Sequence, residues 1–246
     1  MIPPAIQISN LCFKYSDQQS LFTGLNLTVE AGDRFGLFGP NGAGKTSLMN
    51  LMTGLLPYHE GSIQLLGNPI QKSNKNVKKL FGFVPQDFSF YEELTPKENL
   101  EFFGAWSGLG KQEIKQRSNE LFKILELDAV KNKAVKKFSG GMKRKVNLAI
   151  GVIHNPRLLF LDEPTVGVDI ETRQEIISYL KRLNESGTTL IYTSHQLSEA
   201  EELCNKIALI SNGKIIAFDT LDNLLQEHGK QDLEDLFVHL TGKAYE

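Results

Sequence analysis

The feature that most constrains this fold is a glycine-rich run between two apolar segments. The run consists of Gly39, Pro40, Asn41, Gly42, Ala43, Gly44, Lys45, Thr46 and Ser47. An apolar strand is predicted before it, from Phe35 to Phe38, and a helical pattern of leucine and methionine follows from Leu48. Small residues in this context let backbone N–H groups reach phosphate oxygens at a helix N-terminus. The run therefore predicts a P-loop in which Lys45 contacts the β- and γ-phosphates of ATP and Thr46 holds Mg²⁺.

A second cluster of functional groups follows the buried run Leu158 to Leu161. Asp162 and Glu163 come directly after it, and ligands bind outside the carboxyl ends of strands in open α/β sheets. Asp162 suits Mg²⁺ coordination, and Glu163 suits the base that polarises an attacking water. A pair of acidic residues after an apolar strand is also typical of a strand that meets solvent. The P-loop upstream favours the catalytic interpretation.

The order of predicted elements indicates an α/β fold. Apolar residues alternate with polar ones from Ile6 and Ile8 along a predicted strand, and the hairpin turn that follows is predicted at Ser16 to Gln19. A basic loop, Lys72 to Lys79, separates two later strands. Strands and helices then alternate after a helical stretch, and an Asn212-Gly213 turn predicts a late hairpin. We therefore expect a P-loop NTPase core with a mostly parallel sheet, an N-terminal antiparallel β subdomain and an inserted α-helical subdomain.

These patterns predict one domain with three parts and no internal repeats. Residues 1–86 and 156–218 would form the nucleotide-binding core with its β subdomain. Residues 87–155 would form the helical subdomain, and residues 219–246 a short helical tail docked through an apolar stripe from Leu233 to Leu240.

Composition limits the classes of partner. The 246 residues carry a formal charge of -2, so no nucleic acid partner is expected. No stretch reads as a signal peptide or reaches the roughly 18 apolar residues that cross a bilayer. Cys12 and Cys204 lack metal-ligand spacing and are predicted to be packed thiols in a reducing compartment. We expect a cytoplasmic protein whose link to a membrane, if any, passes through a partner.

One further motif gives the chain a family resemblance. Phe138, Ser139, Gly140, Gly141 and Met142 precede a predicted helix with Val146, Ala149, Ile150 and Ile153 on one face. With the two motifs above, this run resembles the signature of the ATP-binding subunits of ABC transporters. The resemblance covers nearly the whole chain. It implies ATP hydrolysis with Mg²⁺, and that Ser139, Gly140 and Gly141 bind the ATP held by a second subunit, either an identical chain or another ABC ATPase.

The resemblance assigns roles to four more residues. It implies that Tyr15 stacks on adenine, that Gln86 contacts Mg²⁺ and the water, that Asp169 lies at the dimer contact, and that His195 contacts the γ-phosphate. Taken singly, Tyr15 is typical of a packed strand residue, Gln86 of an ordinary loop, Asp169 of a helix N-cap and His195 of a surface histidine. Their joint order and spacing favour the functional interpretation.

The details of the resemblance point to one branch of the family. Phe138, Met142 and Val168 depart from the usual signature and D-loop residues without removing a catalytic group. The Ser-Gly-Gly-Met form resembles exporters whose membrane subunits are separate chains, which implies permease partners and a place on the inner face of the cell membrane. Two rival classes are a soluble ABC-type ATPase acting on nucleic acid or ribosomes and a P-loop kinase of small metabolites. The former usually has two cassettes or long insertions, and the latter lacks the second phosphate site.

Aromatic residues between positions 81 and 106 raise the question of where a partner would dock. There are eight of them: Phe81, Phe83, Phe88, Phe90, Tyr91, Phe102, Phe103 and Trp106. They either form the core of the helical subdomain or line a groove for a helix of a membrane subunit, with Phe88, Phe90 and Tyr91 the best candidates for the groove. The basic stretches Lys72 to Lys79 and Lys131 to Lys137 are interpreted as solvated faces in preference to lipid contacts.

Overall fold

The computed structural model describes residues 3–16, 19–70, 75–194 and 196–242. The strands, in chain order, are β1 (Ile6–Phe13), β2 (Phe22–Val29), β3 (Arg34–Phe38), β4 (Glu60–Leu65), β5 (Asn68–Pro69), β6 (Phe81–Val84), β7 (Leu158–Asp162), β8 (Thr189–Thr193), β9 (Lys206–Ser211) and β10 (Lys214–Thr220). The helices are α1 (Lys45–Met52), α2 (Lys75–Lys78), α3 (Pro96–Trp106), α4 (Lys111–Ile124), α5 (Gly140–Val152), α6 (Ile170–Glu185), α7 (Leu197–Leu203), α8 (Leu221–His228) and α9 (Leu233–Thr241). Two 3₁₀ turns, Asp128–Val130 and Val135–Lys137, follow α4.

The chain divides into two compact units. The first comprises Met1–Lys78 and Thr189–Glu246, and the second comprises Lys79–Thr188. Among the described residues of both units, no helix combines the length and the apolar content that crossing a membrane requires. The three-part division predicted from the sequence stays a prediction.

The first unit contains an antiparallel sheet in the strand order β2-β1-β4-β5. Strands β1 and β2 pair with Ile6 opposite Val29 and Ile8 opposite Leu27, and all four side chains are buried. The period-2 alternation in the sequence therefore identified the buried face of this sheet. The hairpin turn is predicted at Ser16 to Gln19, of which Asp17 and Gln18 lie outside the described residues.

The other strands of the first unit bring the phosphate loop, Gly39–Ser47, to the end of a buried strand. Strand β3 pairs in parallel with β8 on one side and with β9 on the other, and β10 pairs antiparallel to β9. Every residue of β8 is buried, which is typical of a parallel strand. Leu233, Leu236 and Phe237 of α9 are buried as the apolar stripe predicts.

The second unit is built on the parallel pair β6 and β7, in register from Phe81 opposite Leu158 to Val84 opposite Leu161. Helix α5 packs against β6 so closely that a Cβ on Gly82 would lie 2.1 Å from the Gly151 carbonyl oxygen. Helices α3 and α4 also approach through a glycine, since a Cβ on Gly104 would lie 2.9 Å from Ile114 Cγ1.

Two local expectations differ from the structure. Part of the predicted basic loop is the one-turn helix α2, while Lys72, Ser73 and Asn74 lie outside the described residues. Helix α8 also precedes α9, and no sequence pattern had identified it separately. Its start is set by Thr220, whose hydroxyl accepts from the Asn223 backbone N–H, and its end by left-handed Gly229.

The Asn212-Gly213 turn between β9 and β10 gives a test of backbone packing. Gly213 has φ 70°, and a Cβ there would lie 1.6 Å from the Leu21 carbonyl oxygen. Gly229 has a similar φ of 63° with no atom within 4 Å of its Cβ position. Gly229→Ala should cost about 1 kcal/mol for the left-handed backbone. Gly213→Ala should cost about 1–3 kcal/mol more, because the backbone must also shift.

Urea unfolding followed by circular dichroism measures the two losses in free energy of unfolding. Equal losses in the two variants would show that the contact with Leu21 relaxes without cost.

Candidate functional site

Close backbone packing shapes the phosphate loop at the end of β3. A Cβ on Gly39 would lie 2.1 Å from the Ile210 carbonyl oxygen, so only glycine fits there. Gly42 and Gly44 have φ of 78° and 108°, a region that glycine adopts without steric cost. A close backbone approach therefore requires glycine at position 39, and a left-handed backbone favours glycine at positions 42 and 44.

The first turn of α1 is suited to an anion. Gly44 is its N-cap, no side chain caps it among the described residues, and its first turn carries no acidic residue. Lys45 is buried, and its ammonium donates to the Gly39 carbonyl at 2.7 Å and to the Pro40 carbonyl at 3.3 Å. The ammonium is thus held over the loop, beside helix amides that carry partial positive charge. This arrangement can bind the phosphates of a nucleotide.

Tyr15 lies beside this loop. Its hydroxyl is 2.8 Å from the Ser47 hydroxyl of α1, and its ring packs edge-on against Phe13 with centroids 4.9 Å apart. The ring is exposed. The structure therefore brings the aromatic residue predicted to stack on adenine into contact with the phosphate-loop helix.

In the second unit, the end of β7 holds two buried carboxylates. Asp162 is the last residue of β7, and Glu163 follows with 5 % of its surface exposed and φ of 51°. A left-handed glutamate is uncommon, and such strain of about 1–3 kcal/mol persists where the surroundings over-determine it. Gln86 donates from Nε2 to Glu163 Oε2 at 3.0 Å. The structure thus joins two of the predicted catalytic residues directly.

Two polar residues of α5 hold the 85–89 loop that carries Gln86. Arg144 Nη1 donates to the Gln86 carbonyl at 2.7 Å, and its guanidinium lies 4.8 Å from the centroid of the Phe88 ring. Asn147 Nδ2 donates to the Pro85 carbonyl at 3.1 Å, and its Oδ1 accepts from the Ser89 hydroxyl at 3.3 Å. Both α5 side chains are buried, so the loop backbone rests on paired polar groups.

Arg144 also reaches the segment after Glu163. Its Nη2 donates to the Val166 carbonyl at 3.4 Å. Burial lowers the pKa of the Arg144 guanidinium from its ordinary value, and the charges of Glu163 and Asp87 oppose that shift. One cation therefore links the loop of the predicted metal-contacting glutamine to the loop that follows the predicted base.

Arg144 and Asn147 are not predicted from the sequence. The sequence pattern predicts a single apolar face on α5 from Val146, Ala149 and Ile150, whereas the structure buries nearly every residue from Gly141 to Val152. The available signal was the spacing of the two polar residues, three apart and therefore adjacent on the helix surface. Nothing in the sequence indicated that this second face was covered.

The signature residues have local structural roles of their own. Ser139 is the N-cap of α5, and its Oγ accepts from the Met142 backbone N–H at 3.3 Å. Gly140 is exposed, whereas Gly141 is buried where a Cβ would lie 3.0 Å from Thr172 Oγ1. The anion-binding role of these three residues stays a prediction.

Asp169 is the N-cap of α6. Its carboxylate accepts from the Thr172 backbone N–H and hydroxyl, both at 2.9 Å, and these bonds lower its pKa. This structural role is the one that the residue suggests when taken singly, and it leaves the predicted dimer role untested. His195 lies outside the described residues.

The predicted metal ligands supply suitable donor atoms. Magnesium binds oxygen donors, and the hydroxyl of Thr46, the amide oxygen of Gln86 and the carboxylate of Asp162 are of this kind. Because Gln86 uses its Nε2 for Glu163, its Oε1 stays available as an acceptor. That these three residues together hold Mg²⁺ stays a prediction.

The aromatic residues divide between core and surface. Of the eight between positions 81 and 106, only Phe81 is buried, so a core made of most of them is wrong. Phe88, Tyr91, Phe102 and Trp106 are exposed, and Trp106 reaches 82 %. The Tyr91 ring packs edge-on against the Phe102 ring with centroids 5.1 Å apart, and the Phe102 ring stacks with the Trp106 ring at 6.4 Å.

Removing Arg144 should weaken the second unit. Arg144→Met deletes the donors to two backbone carbonyls, and an unsatisfied buried acceptor costs about 1–3 kcal/mol. We expect a loss of that size in the free energy of unfolding, measured by urea denaturation. Arg182→Met is the matched control, because Arg182 is exposed on α6 and also lies over an aromatic ring, that of Tyr179. Its loss should stay within about 0.5 kcal/mol, and similar losses in both variants would contradict the role of Arg144.

Comparison with known proteins agrees with this arrangement. The sequence profile of the family described as ABC transporter matches residues 22–166. The linearmycin resistance ATP-binding protein LnrL of Bacillus subtilis is 38% identical over 98% of this chain and 77% of its own length. The daunorubicin resistance ATP-binding protein DrrA3 of Streptomyces coeruleorubidus is 36% identical over 93% of this chain and 72% of its own. A Nod factor export ATP-binding protein I from a Rhizobium species is 35% identical over 91% and 73%.

Solved structures give the same result for the fold. The ATP-binding subunit of an ABC transporter superposes with a TM-score of 0.89 at 27% identity, covering 96% of this chain and 99% of that subunit. The protein cbiO1 of Clostridium perfringens, described as part of the ABC transporter complex cbiONQ, gives 0.82 at 25% identity over 92% of each chain. The predicted fold class is thereby confirmed. With the profile match and the three relatives, these likenesses establish that the chain belongs to the family of ABC transporter ATP-binding proteins.

Proposed function

We propose that this chain hydrolyses ATP to drive export of a substrate through membrane-spanning permease subunits on separate chains. The observation that carries the hydrolytic part is the buried Glu163 carboxylate, which Gln86 holds at 3.0 Å. A buried carboxylate directed by a neighbouring amide is suited to polarising a water. Export is supported by the relatives named above, one of which is described as an export protein and two as drug resistance proteins.

Each predicted residue takes a role in this proposal. The phosphate loop, Gly39–Ser47, binds the phosphates, with Lys45 supplying the charge and Tyr15 the surface for adenine. Thr46, Gln86 and Asp162 hold Mg²⁺, Glu163 is the base, and His195 contacts the γ-phosphate. The chemistry required of these side chains is positioning and charge stabilisation, because phosphoryl transfer needs little covalent participation by the protein.

The dimeric arrangement is also part of the proposal. Ser139, Gly140 and Gly141 at the start of α5 would contact the ATP bound by a second subunit, with Asp169 near the dimer contact. Helix α5 supports this role, since its N-terminus offers backbone amides and its first turn carries no acidic residue. The partner would be a second copy of this chain or another ABC ATPase.

We place the permease contact at the exposed aromatic surface that comprises the contacting series Tyr91, Phe102 and Trp106 together with exposed Phe88, three residues before Tyr91. Exposed clustered aromatics are typical of protein interfaces. The Arg144 guanidinium stacks on the Phe88 ring and donates to the Gln86 carbonyl. A partner that displaces Phe88 would therefore also move Gln86, whose side chain contacts Glu163. The chain would thus lie at the inner face of the cell membrane as a peripheral subunit.

Replacing the base should separate binding from turnover. Glu163→Gln keeps the contact with Gln86 but removes the negative charge, so ATP hydrolysis should fall by roughly 10²- to 10⁴-fold while ATP binding persists. Phosphate release and equilibrium dialysis with ATP measure the two quantities. Glu171→Gln, an exposed change in the first turn of α6, is the matched control and should retain turnover. Near-normal hydrolysis by Glu163→Gln would remove Glu163 from its role.

The same variant tests the dimer. Because it binds ATP without hydrolysing it, Glu163→Gln should elute as a dimer on size exclusion in the presence of ATP and Mg²⁺. Adding Ser139→Arg should return the elution to the monomer position if Ser139 contacts the partner's ATP. A dimer that persists in the double variant would contradict the proposed trans contact.

Replacing the phosphate-loop lysine should affect binding itself. Lys45→Ala removes a charged donor, and a hydrogen bond to a charged group is worth about 1.5–3 kcal/mol. ATP affinity should therefore fall by about 10- to 100-fold, as measured by isothermal titration calorimetry. Lys214→Ala, an exposed lysine at the start of β10, should bind ATP normally. Unchanged affinity in a folded Lys45→Ala protein would contradict the phosphate-loop assignment.

A further inference from the structure

A cavity of about 650 Å³ lies in the second unit between α3, α4 and the segment after the first 3₁₀ turn. Its lining combines two kinds of surface. Ile114 and Phe122 of α4 are buried apolar side chains, while four lysines contribute positive charge, namely Lys97, Lys111, Lys115 and Lys131. Small-molecule sites in proteins are cavities of about 300–1,000 Å³ with a largely apolar wall and a few polar groups. The cavity has the size and the mixed lining of such a site.

The lysines give the cavity a charge unlike that of the whole chain. Among the described residues that line the cavity, Glu101 is the only acidic one, whereas the chain as a whole has a formal charge of -2. Lys97 lies 4.0 Å from Glu101, and Lys131 lies 2.8 Å from Asp128. Lys111 and Lys115 have no ion-pair partner within the part of the chain that the structure describes. Two cations of the lining are thus left for a ligand.

The positions of these two lysines on α4 are unfavourable without an anion. Lys111 and Lys115 are four positions apart on α4, which places like charges side by side on the helix surface. Lys111 is also the first residue of α4, where the helix carries partial positive charge; Glu113 in the same turn offsets part of that charge, and Gly110 provides no side-chain cap. An anion at this end of the cavity would relieve both repulsions.

Ser118 provides the independent sign of a ligand. It lines the same cavity, is 4 % exposed, and its Oγ has no hydrogen-bond partner in the structure. Buried hydroxyl groups are nearly always hydrogen-bonded, because an unsatisfied one loses its contacts with water without replacement. Ser118 lies on the same face of α4 as Ile114 and Phe122, one turn from each. A ligand with an acceptor atom beside an apolar part would satisfy it.

We propose that this cavity binds a small anionic amphiphile in solution, a carboxylate or phosphate monoester with an apolar chain. Its charged head lies at Lys111 and Lys115, and its chain lies over Ile114 and Phe122. Ser118 donates its hydroxyl to an oxygen of the ligand. The site is separate from the residues assigned to ATP and from the exposed aromatic surface, none of which lines the cavity.

Isothermal titration calorimetry of the full chain tests the proposal with three probes. Decanoate and decyl phosphate should each bind at one saturable site, and inorganic phosphate should bind at least about tenfold more weakly because it lacks the apolar chain. The proposal is overturned if inorganic phosphate binds with the same affinity as the amphiphiles. It is also overturned if neither amphiphile binds at concentrations up to about 1 mM, which corresponds to weak binding. Binding only to vesicles of anionic phospholipid, with none to the dissolved amphiphiles, overturns it as well.

Variants locate the site. Lys111→Gln with Lys115→Gln should weaken decanoate binding by about tenfold or more, since each lysine offers a charge-assisted hydrogen bond. Lys123→Gln removes one positive charge from the same helix outside the cavity, and it should bind decanoate normally. Ser118→Ala deletes an atom without a partner, so the protein should fold normally and bind decanoate several-fold more weakly. Unchanged affinity in the double lysine variant, or an equal loss in Lys123→Gln, contradicts the assignment.

Discussion

The phosphate loop depends on one close backbone approach, between Gly39 at the end of β3 and the Ile210 carbonyl oxygen of β9. A Cβ at Gly39 would lie 2.1 Å from that oxygen, so the position admits only hydrogen. The contact joins the parallel strands where β3 ends, and α1 begins six residues later at Lys45. Left-handed Gly42 and Gly44 then direct the chain into α1. The orientation of the helix amides that would hold phosphate follows from this packing.

The second unit applies a different constraint to its functional groups, the pairing of buried polar atoms. Arg144 and Asn147 are buried in α5, and such groups are stable only when hydrogen-bonded. Their partners are backbone groups of the 85–89 loop, so satisfying α5 also fixes the position of Gln86. Gln86 in turn donates to Glu163, whose left-handed backbone is held within this network. The pairing of polar groups buried on α5 therefore fixes the loop that carries a predicted catalytic residue.

Much of the fold could be predicted because its local and tertiary preferences agree. Alternation identified β1 and β2, the run from Leu158 identified β7, and the Asn212-Gly213 turn identified the hairpin of β9 and β10. Prediction was less complete for helices with few core contacts and for the burial of aromatic side chains. Helix α2 spans four residues, which is too short for a clear helical period. Helix α8 buries Leu224 alone among its described residues, and its ends are set by Thr220 and Gly229. Aromatic content alone could not tell core from surface: of the eight aromatics, one is buried, three are half-buried and four are exposed.

The sequence by itself determined the chemistry of the candidate site. Gly39–Ser47, Asp162, Glu163 and the signature run are contiguous motifs, and a contiguous motif specifies its backbone locally through glycine, helix starts and strand ends. The tertiary structure decided what surrounds them, because partners distant in sequence meet only through folding. Arg144 and Gln86 are an example, as are the lysines of α3 and α4 that line one cavity. Burial decided the rest: it makes Arg144 a necessary partner of the loop, and it leaves the Ser118 hydroxyl without one.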